Sequence, residues 1–423
     1  MAITAESNAI DAIDLSPSSK SLSGLDGINF FLAGMQAGFG PFVAVLLADE
    51  NWTQQNIGFV LSASGLAGLL SQLPGGELLD VSRSKRFLVA LGAVVVAVSA
   101  LLIALWPILP VVFAASVLQG VTGGILGPAV AAISLGLVGY TALAERLGRN
   151  QRFASAGALI VTGLMGVIGY FLSYRAIFFV SAALVLPLLL AIARVRSADI
   201  HFGRSCGQPD HHESTPPPRA ERLSLSKNLN LLIFAGCLFL FQFANASMLP
   251  LVGERLAYRN GTGASFIISA LIILPQIVVA LSASWVGQLA QSQGRRPLLL
   301  IGFGALAVRA LLFAVTVDPP LLICIQLLDG ISGSVLGVLT ALIVADLTNG
   351  TGRFNLAQGF VGTFAGIGAT LSTTFFGLIV GNFGSAIGFL SIAAAALTTV
   401  FLALLLMPET KPSNEKSEPL GST

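Results

Sequence analysis

The stretch Gly76-Glu77-Leu78-Leu79-Asp80-Val81-Ser82-Arg83-Ser84-Lys85-Arg86 sits between two long apolar runs, roughly 53–75 and 87–106. Asp80 falls at a predicted helix end, and the cations Arg83, Lys85 and Arg86 follow within a short turn. Between charge-poor helices such a cluster can pin two of them together at one face of a bilayer and let go when they tilt. A weaker copy lies far downstream, Gly287-Gln-Leu-Ala-Gln291-Ser-Gln-Gly294-Arg295-Arg296, as if one architecture were used twice.

The rest of the chain sets this cluster in a membrane. Of its 423 residues 55% are hydrophobic and 10% charged, with mean hydropathy +0.86; a soluble domain carries about 25% charged residues. Apolar runs of the length a helix needs to cross a bilayer recur throughout. The expected class is an all-α polytopic membrane protein. The net charge of +2 gives no support to nucleic-acid binding. Cys206, Cys237 and Cys324 are odd in number and far apart, so neither a disulfide framework nor a metal site is expected. Residues 1–23 are Ser-rich, without the basic and apolar regions of a secretory signal.

Spans are predicted at roughly 27–49, 53–75, 87–106, 110–138, 153–173 and 176–195, then 229–252, 264–287, 297–317, 319–347, 354–381 and 385–407. The expected organisation is a tail over 1–26, a six-helix bundle over 27–195, a linker over 196–228, a second bundle over 229–407 and a tail over 408–423. The linker holds Pro216, Pro217, Pro218, His211, His212 and Glu213, and reads as a solvated loop rather than a metal tract. With residue 1 cytoplasmic, 18 of the 22 Lys and Arg fall on the inside and only Arg175, Arg255 and Arg259 outside. This bias predicts a bacterial inner-membrane protein with both termini and the linker cytoplasmic.

Internal repetition agrees with the split. Leu118-Gln-Gly120-Val-Thr-Gly123 aligns with Leu328-Asp-Gly330-Ile-Ser-Gly333 at an offset of 210, and Gly76 aligns with Gly287 at 211. Matching topology in each half makes the halves parallel repeats about an axis along the membrane normal. Taken together, these features resemble the major facilitator superfamily of secondary transporters, over nearly the whole chain. The specific carrier is its loop motif between spans two and three, Gly-x-x-x-Asp-Arg/Lys-x-Gly-Arg-Arg/Lys. Gly76, Asp80, Lys85 and Arg86 match it, while Val81 and Arg83 replace the usual cation and glycine. The second copy keeps Gly287, Gly294, Arg295 and Arg296 and puts Gln291 at the Asp position. The resemblance implies the superfamily fold of twelve helices and gives the motif a gating role, holding the outward-open state from the cytoplasmic side. Ser116 stands where drug antiporters of the superfamily carry an Arg, and the fifth span lacks their proline, which argues against drug/proton antiport. Phe243–Leu251 and Leu328–Gly330 are similar to a proteobacterial group of unassigned substrate. Pro408-Glu-Thr-Lys411 echoes the tail of many sugar members.

Polar groups within spans are costly and therefore candidate site residues. Gln36, Gln119, Gln242, Asn245, Gln276 and Gln326 fall at or near mid-depth. All but Gln276 lie on spans one, four, seven and ten, which line the central cavity in the superfamily. They either contact a polar solute or tie helices together by hydrogen bonds. Arg309 and Asp329 are the two clear charges deep in the spans. Counting from the turn near Asp318 puts both about 15 Å deep on consecutive antiparallel helices. An ion pair is expected, serving either coupling or structure. Glu145 and Asp346 are read as closing spans four and ten, latched to nearby Arg. Gly120/Gly124 and Gly123/Gly127 are expected to let helices approach closely, and Pro41, Pro74, Pro128, Pro187, Pro250 and Pro275 to kink or hinge them. No nucleotide-binding, catalytic or metal constellation appears, and no cofactor or enzymatic activity is expected. The expected function is alternating-access transport of a small-molecule substrate by a monomer in membrane lipid, coupled to H+ or another ion. Export ranks first and uptake of a metabolite or siderophore second. A non-transporting receptor or assembly factor is the rival class.

Overall fold

The structure, a computed structural model, describes residues 17–37, 39, 41–208, 228–253 and 264–411. His211, His212, Glu213, Gly38 and most of the expected linker and tails lie outside the described residues. Among the described residues twelve helices are long and apolar enough to cross a membrane. They are α1 Ser19–Asp49, α2 Gln54–Val81, α3 Lys85–Leu105, α4 Leu109–Val138, α5 Leu143–Phe171 and α6 Tyr174–Arg194, then α7 Leu229–Gly253, α8 Ala264–Gln293, α9 Arg296–Val315, α10 Pro319–Thr348, α11 Phe354–Phe383 and α12 Ser385–Leu406.

The apolar runs predict this outcome because only a helix satisfies its own backbone polar groups in hydrocarbon. Local chemistry sets the ends. Thr53 caps α2 by accepting from the Asn56 amide, and Asn228 caps α7 by accepting from Leu231. Gly139 closes α4 at φ +66°, a conformation that favours a residue without Cβ. Helix α1 begins at Ser19 rather than near residue 27, so Asp26 belongs to the helix. Glu145 sits in the first turn of α5, not at the end of α4.

Several helices are interrupted. α6 breaks at Leu184, and α7 has turn residues at Ala246–Ser247. Pro187 and Pro250 lie three and four residues beyond, where a missing N–H and a ring clash disrupt the ladder. α1 divides into Ser19–Ala37 and Pro41–Asp49. α10 breaks at Gln326 without a proline. Pro74, Pro128 and Pro275 stay inside continuous helices.

Two cores form. Leu25, Ile28, Met35, Leu46 and Phe178 belong to the one in the first half. Phe234, Phe303, Phe313 and Phe389 anchor the other, which also takes in Leu143, Ala144 and Leu147 of α5. Large apolar side chains such as Leu66, Leu190, Leu281 and Phe401 point outward, the surface a hydrocarbon solvent demands. The halves meet where α2 packs on α11 and α5 on α8.

Candidate functional site

The site has two parts, a seam at the end carrying the charged turns and a chamber behind it. At the seam, Gly76 lies against the backbone of Asn355 and Leu356, where any Cβ would collide. That contact brings Asp80, one turn later, to the start of α11. Its Oδ1 accepts from the Asn355 amide at 3.1 Å and from Asn355 Nδ2 at 2.8 Å, while Oδ2 accepts from the Leu356 amide at 2.9 Å. A carboxylate there satisfies donors that the helix leaves unpaired and meets the positive end of its dipole.

The nearby cations do not form ion pairs with Asp80. Lys85, 2% exposed, donates to the Ser82 carbonyl at 3.3 Å and the Cys206 sulfur at 3.4 Å, and lies over the Phe202 ring. Arg86 reaches Ser197 Oγ and the Ile192 carbonyl. Arg83 is exposed. The cluster therefore pins α2 to the opposite bundle through its acid, and its cations hold the segment that follows α6.

The second copy does the converse. Gly287 packs on Ala144 and Gly148 of α5, but Gln291 donates from Nε2 to the Thr141 carbonyl at 2.9 Å. An amide can give a hydrogen bond where a carboxylate only accepts. Gly294 turns at φ +99°. Arg295 pairs with Asp346 at 2.9 Å, and Arg296 donates to the Leu404 carbonyl. Glu409 caps α9, accepting from the Arg295 and Arg296 amides at 2.8 and 3.1 Å. Partial burial pushes its carboxyl upward, but those amides, the Lys411 amide and the Arg295 charge together hold it below its usual range.

A ribbon from Arg196 to Gln208 is bonded to both halves. The Ser18 and Ser21 hydroxyls donate to Asp199 and hold its carboxyl low. The His201 amide donates to Gly136 O at 3.1 Å. On the other half, Phe354 N donates to Cys206 O at 3.1 Å, Gly350 N to Gly207 O at 2.7 Å, and Asn355 Nδ2 to Ser205 O at 3.1 Å. Burial raises the Cys206 thiol above its usual value, so it meets Lys85 as a neutral group.

A further network was not foreseen. Asp26 of α1 binds Arg146 and Arg149 of α5, at 2.5 and 2.7 Å, with Asp26 8% and Arg146 5% exposed. Arg146 continues to Asn150, and Asn150 to Ser134 of α4.

Behind the seam lie two adjacent cavities of about 400 and 510 Å³, which share Leu336, Gly337, Thr340 and Gly362. Gln242, Asn245, Gln276 and Asp329 line the first, and Gln36 lines the second. Gln119 and Gln326 line neither: Gln119 accepts from Ser64 of α2, and Gln326 is buried and donates to Asp329 Oδ2 at 3.3 Å. Asn29, Gln72, Asn150, Gln151 and Gln358 also line the second cavity. Gln72 and Gln358 escaped the sequence reading because it favoured spans one, four, seven and ten, Asn150 and Gln151 because they precede the expected start of span five, and Asn29 because it falls beside the expected start of span one. Gly120 and Gly124 pack on α2, but Gly123 and Gly127 have nothing within 4 Å and face the second cavity instead of a helix.

Arg309 and Asp329 form an ion pair. The guanidinium also donates to Asn245 Oδ1 and lies 3.2 Å from Met248 Sδ. Asp329 stands in the first turn of the second segment of α10, where a carboxylate is favoured by the helix dipole. The α10 break at Gln326 and the α7 break after Asn245 thus flank one charged cluster, as do interrupted helices in transporter sites generally.

The sequence profile of the Major Facilitator Superfamily matches residues 25–308 and 234–422. Uncharacterized MFS-type transporters from two strains of Mycobacterium tuberculosis are each 39% identical over 395 residues, covering 92% of this chain and 94% of the relative. These relatives are mycobacterial, not proteobacterial. Among solved structures, the proton:xylose symporter XylE bound to 6-bromo-6-deoxy-D-glucose aligns with TM-score 0.71 and 13% identity, covering 93% of this chain and 96% of that one. The Escherichia coli fucose:proton symporter FucP aligns with TM-score 0.72 and 15% identity, covering 90% and 97%.

Proposed function

The chain belongs to the Major Facilitator Superfamily, and from that premise we propose that it carries a small polar organic solute across a bacterial inner membrane by alternating access, driven by a coupled ion. The superfamily comprises transporters rather than enzymes. The observation that carries the reading is a polar chamber between two bundles, backed by a seam that glycine contacts and Asp80 close at the charged end. The bias of Lys and Arg supports a cytoplasmic charged end, which makes this the outward-facing state of a monomer in lipid. Asp80 and Gly76, with Gly287 across the pseudo-axis, are the gate; Lys85, Arg86, Gly294, Arg295 and Arg296 fasten the turns beside it, with Arg83 in solvent.

Gln36, Gln242, Asn245 and Gln276 contact the solute, and the Arg309–Asp329 pair is the coupling element. Gln119 and Gln326 act as helix ties. Export is the proposed direction, and uptake is the same cycle run in reverse. Proteoliposome flux of a solute panel under an imposed proton gradient tests the whole reading. Asp329→Asn is expected to abolish gradient-driven accumulation in a folded protein. Gradient-driven transport that persists in the variant would refute the coupling role, and a chain that moves no solute in either direction would refute transport.

A further inference from the structure

The two cavities are lined by many amides and by one ionisable side chain, Asp329. Its counter-charge does not reach the chamber. Arg309 is 3% exposed and Asp329 28%, so the guanidinium lies behind the acid. The guanidinium is engaged by Asp329 Oδ1, Asn245 Oδ1 and Met248 Sδ. The wall is therefore electrically neutral yet presents a carboxylate edge. Among the described residues Asp329 Oδ2 is met by a long 3.3 Å contact from Gln326, which leaves it lone pairs to accept with. Asn245 is fixed in orientation, because an arginine can only donate and so must meet the amide oxygen. Its Nδ2 is left to donate. An acceptor and a donor thus stand side by side on one wall.

We propose that the solute is uncharged and hydroxyl-bearing, of the sugar or polyol class, and that the Arg309–Asp329 pair sets this charge selectivity with Asn245 and Asp329 as its recognition edge. A hydroxyl both donates and accepts, which matches that edge. A cation beside Asp329 would leave a net positive charge next to Arg309 in a low-dielectric wall, and an anion would face the carboxylate; each pays a burial cost that an uncharged solute does not. The inference rests on the transport reading above, but it is tested by binding.

The test uses the full chain purified into lipid nanodiscs and three probes of one carbon skeleton: D-glucitol, the cation D-glucamine and the anion D-gluconate. Wild-type protein is expected to bind D-glucitol about a hundredfold more tightly than either ion. Arg309→Gln uncovers the acid and is expected to turn the preference toward D-glucamine. Asp329→Asn uncovers the guanidinium and turns it toward D-gluconate. The double variant Arg309→Gln/Asp329→Asn, with no charge left, returns to D-glucitol. The wild-type ranking decides the class even where a single variant fails to fold. A wild type that prefers either ion, or binds no D-glucitol, overturns the proposal, as does one ranking common to all four proteins. Flux of an ion by a chain blind to D-glucitol would leave the transporter standing and remove only the substrate class.

Discussion

Asp26 holds two arginines at once, and the consequences of removing it differ from those of removing an exposed partner. Arg146 is even more buried than the acid, so Asp26→Ala strands a cation among helices. The expected loss is about 3–5 kcal/mol, read as a lowered Tm in detergent, and Arg149→Ala should cost far less because that side chain is 55% exposed. The opposite sign is expected at the seam. Gln72 Oε1 and Gln358 Nε2 are buried without partners, a penalty of roughly 1–3 kcal/mol for each such group. Gln72→Met keeps the length and discards the orphan, so it should stabilise this closed seam, seen as slower labelling of a cysteine at the charged end. Faster labelling would count against it. At this scale the sequence was a partial guide. Arg309 and Asp329 were legible because a charge among apolar neighbours at matching depth has few other partners. Asp26 was not, because the helix start was set at the first uninterrupted apolar run, and a buried acid paired to two arginines reads, in one dimension, like a solvated tail.

Helix ends carry much of the electrostatics. Glu409 lies past α12 and caps α9, and its carboxyl is held low by the amides it accepts from. A depressed acid stabilises the fold above its unfolded value near 4.5 and withdraws that support as pH falls through its lower folded value. Wild-type protein is therefore expected to lose thermal stability on acidification below about pH 4.5. Glu409→Gln should flatten that slope and leave the neutral-pH Tm only slightly reduced, since the group is largely exposed. An unchanged slope would argue against the cap. The short tail echo at Pro408–Lys411 marked this segment without hinting at its contacts. The breaks were readable at Pro187 and Pro250, where the chain itself lacks a donor. The break at Gln326 has no such mark: Asp329 N bonds to Gln326 O across three residues, a tighter turn set by tertiary packing.

At the scale of the molecule, repetition and charge bias made the twelve-helix plan visible, because membrane insertion leaves few alternatives. Which helices touch across the seam was not visible, since a glycine contact there depends on a partner in the other half of the chain. Asp80 ties that contact. Asp80→Asn places a second donor opposite the Leu356 amide, an expected cost of about 2 kcal/mol. Spin labels at Ser84 and Asn349, on opposite sides of the seam, should then show a growing long-distance population; an unchanged distance distribution would show that Asp80 does not hold the halves shut. The ribbon from Arg196 to Gln208 adds something different. Its grip on the second half is mostly main-chain: the amides of Gly350 and Phe354 bond carbonyls of Gly207 and Cys206. Side-chain changes at Cys206 and Phe354 leave those bonds in place, whereas Gly207 and Gly350 turn at φ +89° and +82° and resist replacement. Because this tie runs through backbone and not through the chamber wall, residues that line the cavities can change without touching it, which leaves selectivity and the joining of the halves in separate parts of the chain.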